Sequence, residues 1–129
     1  MKESFTLKTT FPVKSSVLYK AWLSSKEHSA MTGGGEATCT NREGDKFSAW
    51  DGYIMGTNVR LVRNKEIIQA WRTSEFADSD MDSELIIRLR ETKDGCELVM
   101  NHNNIPSGQP DYEQGWIDHY FTPMKRYFK

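Results

Sequence analysis

Six side chains in this 129-residue chain have types and positions that suit a binding site: Phe47, Trp50, Trp71, His102, Trp116 and Tyr120. Five are aromatic, and ligand pockets are mostly apolar with a few placed polar groups. The plain alternative is that these rings are core, and both readings can hold together. His102 is the polar member. Its parity with Leu98 and Met100 on one strand aims it at the interior. It reads either as a ligand hydrogen-bonder or proton donor titrating near neutral pH, or as a histidine satisfied at the strand end by Asn103, Asn104 or backbone. The second reading is favoured. His28 is expected on the surface.

Other chemistry finds less support. Nucleophilic catalysis needs a Ser or Cys beside a base and an orienting acid. Cys96 shares the face of His102 but lies six residues away, roughly 20 Å along a strand, and Asp118 and His119 are adjacent on a helix and point apart. No catalytic residue is assigned. Asp78, Asp80, Asp82 and Glu84 have the spacing that opens a calcium loop. However, Ser83 stands where that loop needs Gly, and Leu89 where it needs a bidentate Glu. The scattered His and Cys residues have no zinc spacing, so no metal or cofactor is expected. Gly33-Gly34-Gly35 lacks the lysine and hydroxyl of a phosphate loop and reads as a hinge.

The elements that position these residues follow from periodicity. Phe5, Leu7, Thr9 and Phe11 alternate with polar residues, which predicts an opening strand closed by Pro12. Val17, Leu18, Ala21 and Trp22 recur at helical spacing, with Ser15 or Ser16 as the expected cap, and a second short helix is expected over 24–31. From Glu36 to Ile105 the chain reads as short strands joined by turns, beginning with Ala37-Thr38-Cys39 and including an Asp51-Gly52 hairpin signal. Tyr112, Trp116, Tyr120, Met124 and Phe128 repeat every four residues and predict a long C-terminal helix starting near Pro110. Pro123 cannot donate to the carbonyl of His119 and is expected to kink that helix. The fold class is therefore α+β: an antiparallel sheet of about six to seven strands wrapped around a long helix, in one domain over 1–129.

Composition bounds the function. Lys and Arg total 17 against 18 for Asp and Glu, a balance that excludes an electrostatic grip on nucleic acid or an anionic membrane. The first residues have no apolar core segment, so no export signal is read. Cys39 and Cys96 then read as small buried residues in a reducing, cytoplasmic compartment.

The order of elements is that of START-like, or SRPBCC, helix-grip proteins. Within that class the chain closely resembles the activator of heat-shock protein 90 ATPase homologue family, in its C-terminal domain. The resemblance is carried by Val17-Leu18-Tyr19-Lys20-Ala21-Trp22, Gly44-Asp45-Lys46-Phe47, Asp51-Gly52-Tyr53-Ile54-Met55-Gly56, Ile67-Ile68-Gln69-Ala70-Trp71-Arg72, Ile105-Pro106, Gln114-Gly115-Trp116 and Tyr120-Phe121 with Lys125. It implies a small apolar ligand between sheet and helix, as in much of the superfamily, or a heat-shock-protein-90-type chaperone ATPase as partner. Cyclase- or hydrolase-like activity, found elsewhere in the superfamily, is the enzymatic alternative. In the eukaryotic cochaperone this domain follows a separate N-terminal domain. Here the first strand begins at Phe5, so the expectation is a stand-alone binding domain that accelerates chaperone ATP hydrolysis little.

Overall fold

The computed structural model describes residues 2–129. Its elements run β1 (Lys2–Phe11), α1 (Ser15–Trp22), α2 (Ser25–Met31), β2 (Lys46–Ala49), β3 (Ile54–Val62), β4 (Glu66–Thr73), β5 (Ser83–Thr92) and β6 (Gly95–Pro106). A C-terminal helix follows in three parts: α3 (Tyr112–Trp116), a π-helical turn (Ile117–Phe121) and α4 (Thr122–Tyr127). The strands form one antiparallel sheet in the order β1-β6-β5-β4-β3-β2. The first helix pair and the C-terminal helix pack on one face of it.

Strand alternation sets that inner face. Ile67, Gln69, Trp71 and Thr73 of β4 are buried, as are Ser83, Leu85, Ile87 and Leu89 of β5 and Cys96, Leu98, Met100 and His102 of β6. Register pairs Ile67 with Ile87, Ile87 with Met100 and Met100 with Leu7, so apolar side chains form continuous rows across the strands. The outer face has charges, among them Arg60 and Arg88 flanking Glu66 at 3.4 and 3.0 Å.

A buried polar chain ties the 40–45 loop to this sheet. Asn58 donates from Nδ2 to the carbonyls of Thr40 and Arg42, both at 3.0 Å, and accepts from Gln69 Nε2 at 2.9 Å. The Trp22 indole donates to Gln69 Oε1 at 3.5 Å. Each amide is satisfied on both ends, as burial of polar groups requires.

Three expectations are corrected. Residues 37–39 contribute a single bridge, Thr38 with Ser48, so five strands follow the helix pair. No serine caps α1. Lys14 occupies the cap position, and the Ser15 N–H is satisfied from across the sheet by Glu91 Oε1 at 2.8 Å, while Ser15 Oγ donates to Cys96 Sγ. Pro123 produces a π-turn rather than an isolated break. The Thr122 N–H reaches back five residues to the Ile117 carbonyl, and Pro123 falls in the first turn of α4, where an N–H is not needed. Cys96 is buried and Cys39 half-buried; desolvation raises both thiols, Cys39 to about 11.

Candidate functional site

The helix places three aromatics against the sheet at four-residue intervals. Asp111 starts it by accepting the Gln114 N–H at 3.1 Å, so the helix proper begins at Tyr112, two residues beyond Pro110. Tyr112, Trp116 and Tyr120 then meet Trp71 and Trp22. Trp71 lies 5.1 Å edge-on from Tyr112 and 5.5 Å from Trp116, and Trp22 lies 5.2 Å from Tyr120. Beside Trp71 in register, β3 has Gly56. A Cβ there would fall 1.9 Å from the Ala70 carbonyl oxygen and 2.6 Å from the Phe47 ring. Phe47 therefore packs across Gly56 as core.

His102 is fully buried beneath these rings, and its partners define its tautomer. The Trp116 indole can only donate, and it does so to His102 Nδ1 at 3.1 Å. The proton of the neutral ring thus sits on Nε2 and is donated to Ser83 Oγ at 2.9 Å, while Ser83 donates to the Trp71 carbonyl at 2.7 Å. Asn103 instead donates to Glu84. Burial pushes the imidazole down to about 3. The fold thus assembles a Ser–His pair that spacing alone does not reveal. Its polarity is wrong for a nucleophile and base, because the ring donates to the hydroxyl, and Ser83 and His102 are only 2% and 0% exposed. The pair instead holds the Trp116 indole through His102 and the Trp71 backbone carbonyl through Ser83.

His28 is not on the surface: it is 4% exposed. Its Nδ1 lies 2.8 Å from the Trp22 carbonyl, which only accepts, so Nδ1 carries the proton. Nε2 is left to accept from the Tyr120 hydroxyl at 2.7 Å. Desolvation lowers the histidine and raises the phenol, so both stay neutral. The signal that would have found His28 is its spacing of three from buried Met31 on α2.

Between β3, β4 and the helix lies an open-ended cavity of about 300 Å³. Trp71, Trp116, Tyr112 and Tyr120 form its inner walls. Trp50, Tyr53 and Ile54 close one side, and Pro110, Asp111, Gly115 and His119 the helix side. Four of the six expected side chains line it: Trp50, Trp71, Trp116 and Tyr120. Phe47 and His102 lie outside its walls, the first across Gly56 and the second behind Trp116. The pattern missed Tyr53 because it sits in a turn, and Gly115 because it has no side chain to count. Among the described residues the lining includes no Lys or Arg.

Trp50 reaches this cavity through an unusual turn. The four residues 50–53 join β2 to β3, and Trp50, Asp51 and Gly52 all have positive φ, at 55°, 58° and 89°. A two-residue Asp51-Gly52 turn would have spared Trp50 that conformation. Left-handed backbone costs a bulky residue about 1–2 kcal/mol. The turn is held by Asp51, whose carboxylate accepts the Glu36 N–H at 2.8 Å and whose own N–H donates to the Glu36 carbonyl. Trp50 Nε1 is also the one buried side-chain polar atom without a well-formed hydrogen bond among the described residues; it faces the Tyr120 hydroxyl without closing a bond of normal geometry.

At the far end, Thr73 Oγ1 and the Tyr112 hydroxyl lie 2.6 Å apart. Tyr112 donates to Gln109 Oε1 at 2.8 Å, which leaves Thr73 as donor to it. Tyr53 donates to the Glu75 carboxylate. In the 78–84 stretch the Asp80 carboxylate accepts the Ala77 N–H at 2.9 Å and Glu84 accepts from Asn103, while Arg72 ties the loop down. Arg72 donates to the Ala77 and Asp80 carbonyls and to Asp82 Oδ1 at 2.8 Å.

A curved antiparallel sheet gripping a C-terminal helix, with a cavity between them, defines a helix-grip protein. The family model described as "Activator of Hsp90 ATPase homolog 1-like protein" matches residues 12–129, and the chain belongs to that family. The human "Activator of 90 kDa heat shock protein ATPase homolog 1" is 28% identical over 124 residues, covering 95% of this chain and 36% of the human protein. The mouse protein of the same name matches to the same extent. The chain thus spans about a third of the length of these curated relatives. Among solved structures, an HSP90 activator from Plasmodium falciparum superposes with a TM-score of 0.86 at 22% identity, covering 96% of this chain and 94% of that one. The Aha1 dimer of Colwellia psychrerythraea superposes at 0.76 with 11% identity, over 98% and 93% of the two chains. At these identities the likeness is one of fold.

Proposed function

We propose that this domain binds a small, largely apolar ligand in the cavity between sheet and C-terminal helix, without catalysing a reaction on it. The observation that carries this reading is Trp50. It is held at positive φ over an aromatic cavity, with a buried N–H that makes no well-formed hydrogen bond. Strain and a poorly satisfied donor are both costly, and they persist where a site is preorganised. The buried polarity of Ser83 and His102 argues for binding over hydrolysis. The test is native mass spectrometry of the protein purified from its own source, beside Gly115→Leu. A Cβ at Gly115 meets nothing within 4 Å, so the leucine fills the cavity with little disturbance of the core. A retained mass in the wild type that is lost in the variant supports the reading. Equal spectra from both, with no change in tryptophan emission during a screen of small apolar compounds, overturn it.

A second reading, contact with an Hsp90-type ATPase, is favoured by family membership and by the names of the relatives. Surface plasmon resonance against the source organism's own chaperone tests it. Binding abolished by outer-face substitutions, and indifferent to Gly115→Leu, would establish it apart from the cavity.

A further inference from the structure

We infer that the ligand of this cavity is a small organic cation, an alkylated ammonium; this rests on the cavity being a ligand site. The walls are the first ground. Trp50, Trp71, Trp116, Tyr53 and Tyr112 surround about 300 Å³, room enough for a trimethylammonium head. The negative face of each ring attracts a cation, most strongly for tryptophan and more so where water is excluded. A neutral apolar guest gains only the burial of its surface.

Charge is the second ground. Among the described lining residues the fixed charge is the Asp111 carboxylate, and no Lys or Arg opposes it. Asp111 Oδ1 caps the helix, and its other oxygen makes no protein hydrogen bond among the described residues. A second carboxylate, Glu75, accepts the Tyr53 hydroxyl at the rim, which adds electron density to that ring. An anionic guest would meet this rim unfavourably. A cation enters along the field and exchanges its weak hydration for ring faces. The Trp50 N–H makes no well-formed hydrogen bond, and a hydroxyl on the cation's tail would supply a better-placed acceptor.

Choline is the probe, and its neutral isostere, with carbon in place of the ammonium nitrogen, is the control. Both have the same shape and the same hydroxyl. Titrations are read by tryptophan emission and by the indole N–H NMR signals of Trp50, Trp71 and Trp116. Choline should bind at least about tenfold more tightly than the isostere. Asp111→Asn should weaken choline roughly three- to tenfold and leave the isostere unchanged, because Asn caps a helix as well as Asp. Gly115→Leu should abolish both. Equal affinity, or tighter binding of the isostere, overturns the cationic assignment and leaves the cavity reading intact. If neither probe moves the three indole signals, the cationic assignment falls, and the retained-mass experiment decides the cavity reading by itself. Choline binding that survives Gly115→Leu places the cation elsewhere and likewise overturns the assignment.

Discussion

Gly115→Ala should stabilise the protein. Glycine in a helix costs about 0.8–1 kcal/mol relative to alanine, because the unfolded chain has more freedom to lose. That penalty is normally kept where a Cβ would collide, yet at Gly115 an added Cβ meets nothing within 4 Å. The residue is the fourth of α3, half-exposed and on the cavity side, so its helical backbone suits alanine without adjustment. The full propensity gain should therefore appear, about 0.5–1 kcal/mol. With an unfolding entropy of about 2.1 cal/mol/K per residue over 129 residues, the melting temperature should rise by roughly 2–4 °C. Urea unfolding followed by circular dichroism, rather than by emission from neighbouring Trp116, gives the free energy, and calorimetry gives the midpoint. A loss of more than about 1 kcal/mol would refute the claim that the space beside Gly115 is open. A gain means that this position gives up stability to keep the space empty.

Gly56→Ala should do the reverse and cost at least about 2–3 kcal/mol in a urea melt, because its Cβ would overlap the Ala70 carbonyl and the Phe47 ring; a change within about 0.5 kcal/mol would contradict the packing. Acid should weaken the fold early. Buried His102 and His28 titrate below the usual histidine value near 6.5, so their neutral burial is fully favourable above that pH and is lost as pH falls toward their folded values. His102 alone should remove roughly 2 kcal/mol between pH 6.5 and 5, and a flat stability profile across that window would refute neutral burial. Pro123→Ala should be nearly neutral in a denaturant melt, within about 1 kcal/mol, since the wide turn ahead of Pro123 already accommodates its missing N–H. A gain of about 3 kcal/mol would mean that the proline breaks a helix there.

The individual strands, the helix pair and the aromatic stripe were legible because they are local, periodic signals. What was not legible depends on distant pairing. His28 looks like a surface residue on a short helix until Tyr120, 92 residues on, reaches its Nε2. Ser83 and His102 meet only once β5 and β6 are in register, with Leu85 opposite His102. Four cavity walls followed from side-chain type and parity, but Phe47 has the same parity logic and is diverted by a glycine facing it. The Ser15 cap failed for a similar reason: Glu91, 76 residues away, supplied the acceptor. Local reading finds which residues turn inward, and the cross-sheet register decides which of them meet.

The π-turn at Ile117–Phe121 is the place where the helix can absorb a change in chain length. Each residue of an α-helix advances about 100° around the axis, and a π-turn takes up one residue without continuing that advance. Upstream of it, Tyr112 and Trp116 face the cavity; downstream, Phe128 meets Phe11 edge-on at 6.2 Å. Removing one residue from the turn would restore a regular ladder and keep the two halves in their present phase, because the residue removed contributes no advance. A deletion within α3 or α4 instead takes away a residue that does advance, and puts either the cavity wall or the Phe11 contact out of phase. Pro123 acts as a stop just beyond: with no N–H to offer, it gives the ladder nothing with which to re-form by slipping one residue along. Single-residue deletions between 117 and 121 should therefore be better tolerated than single-residue deletions within α3 or α4.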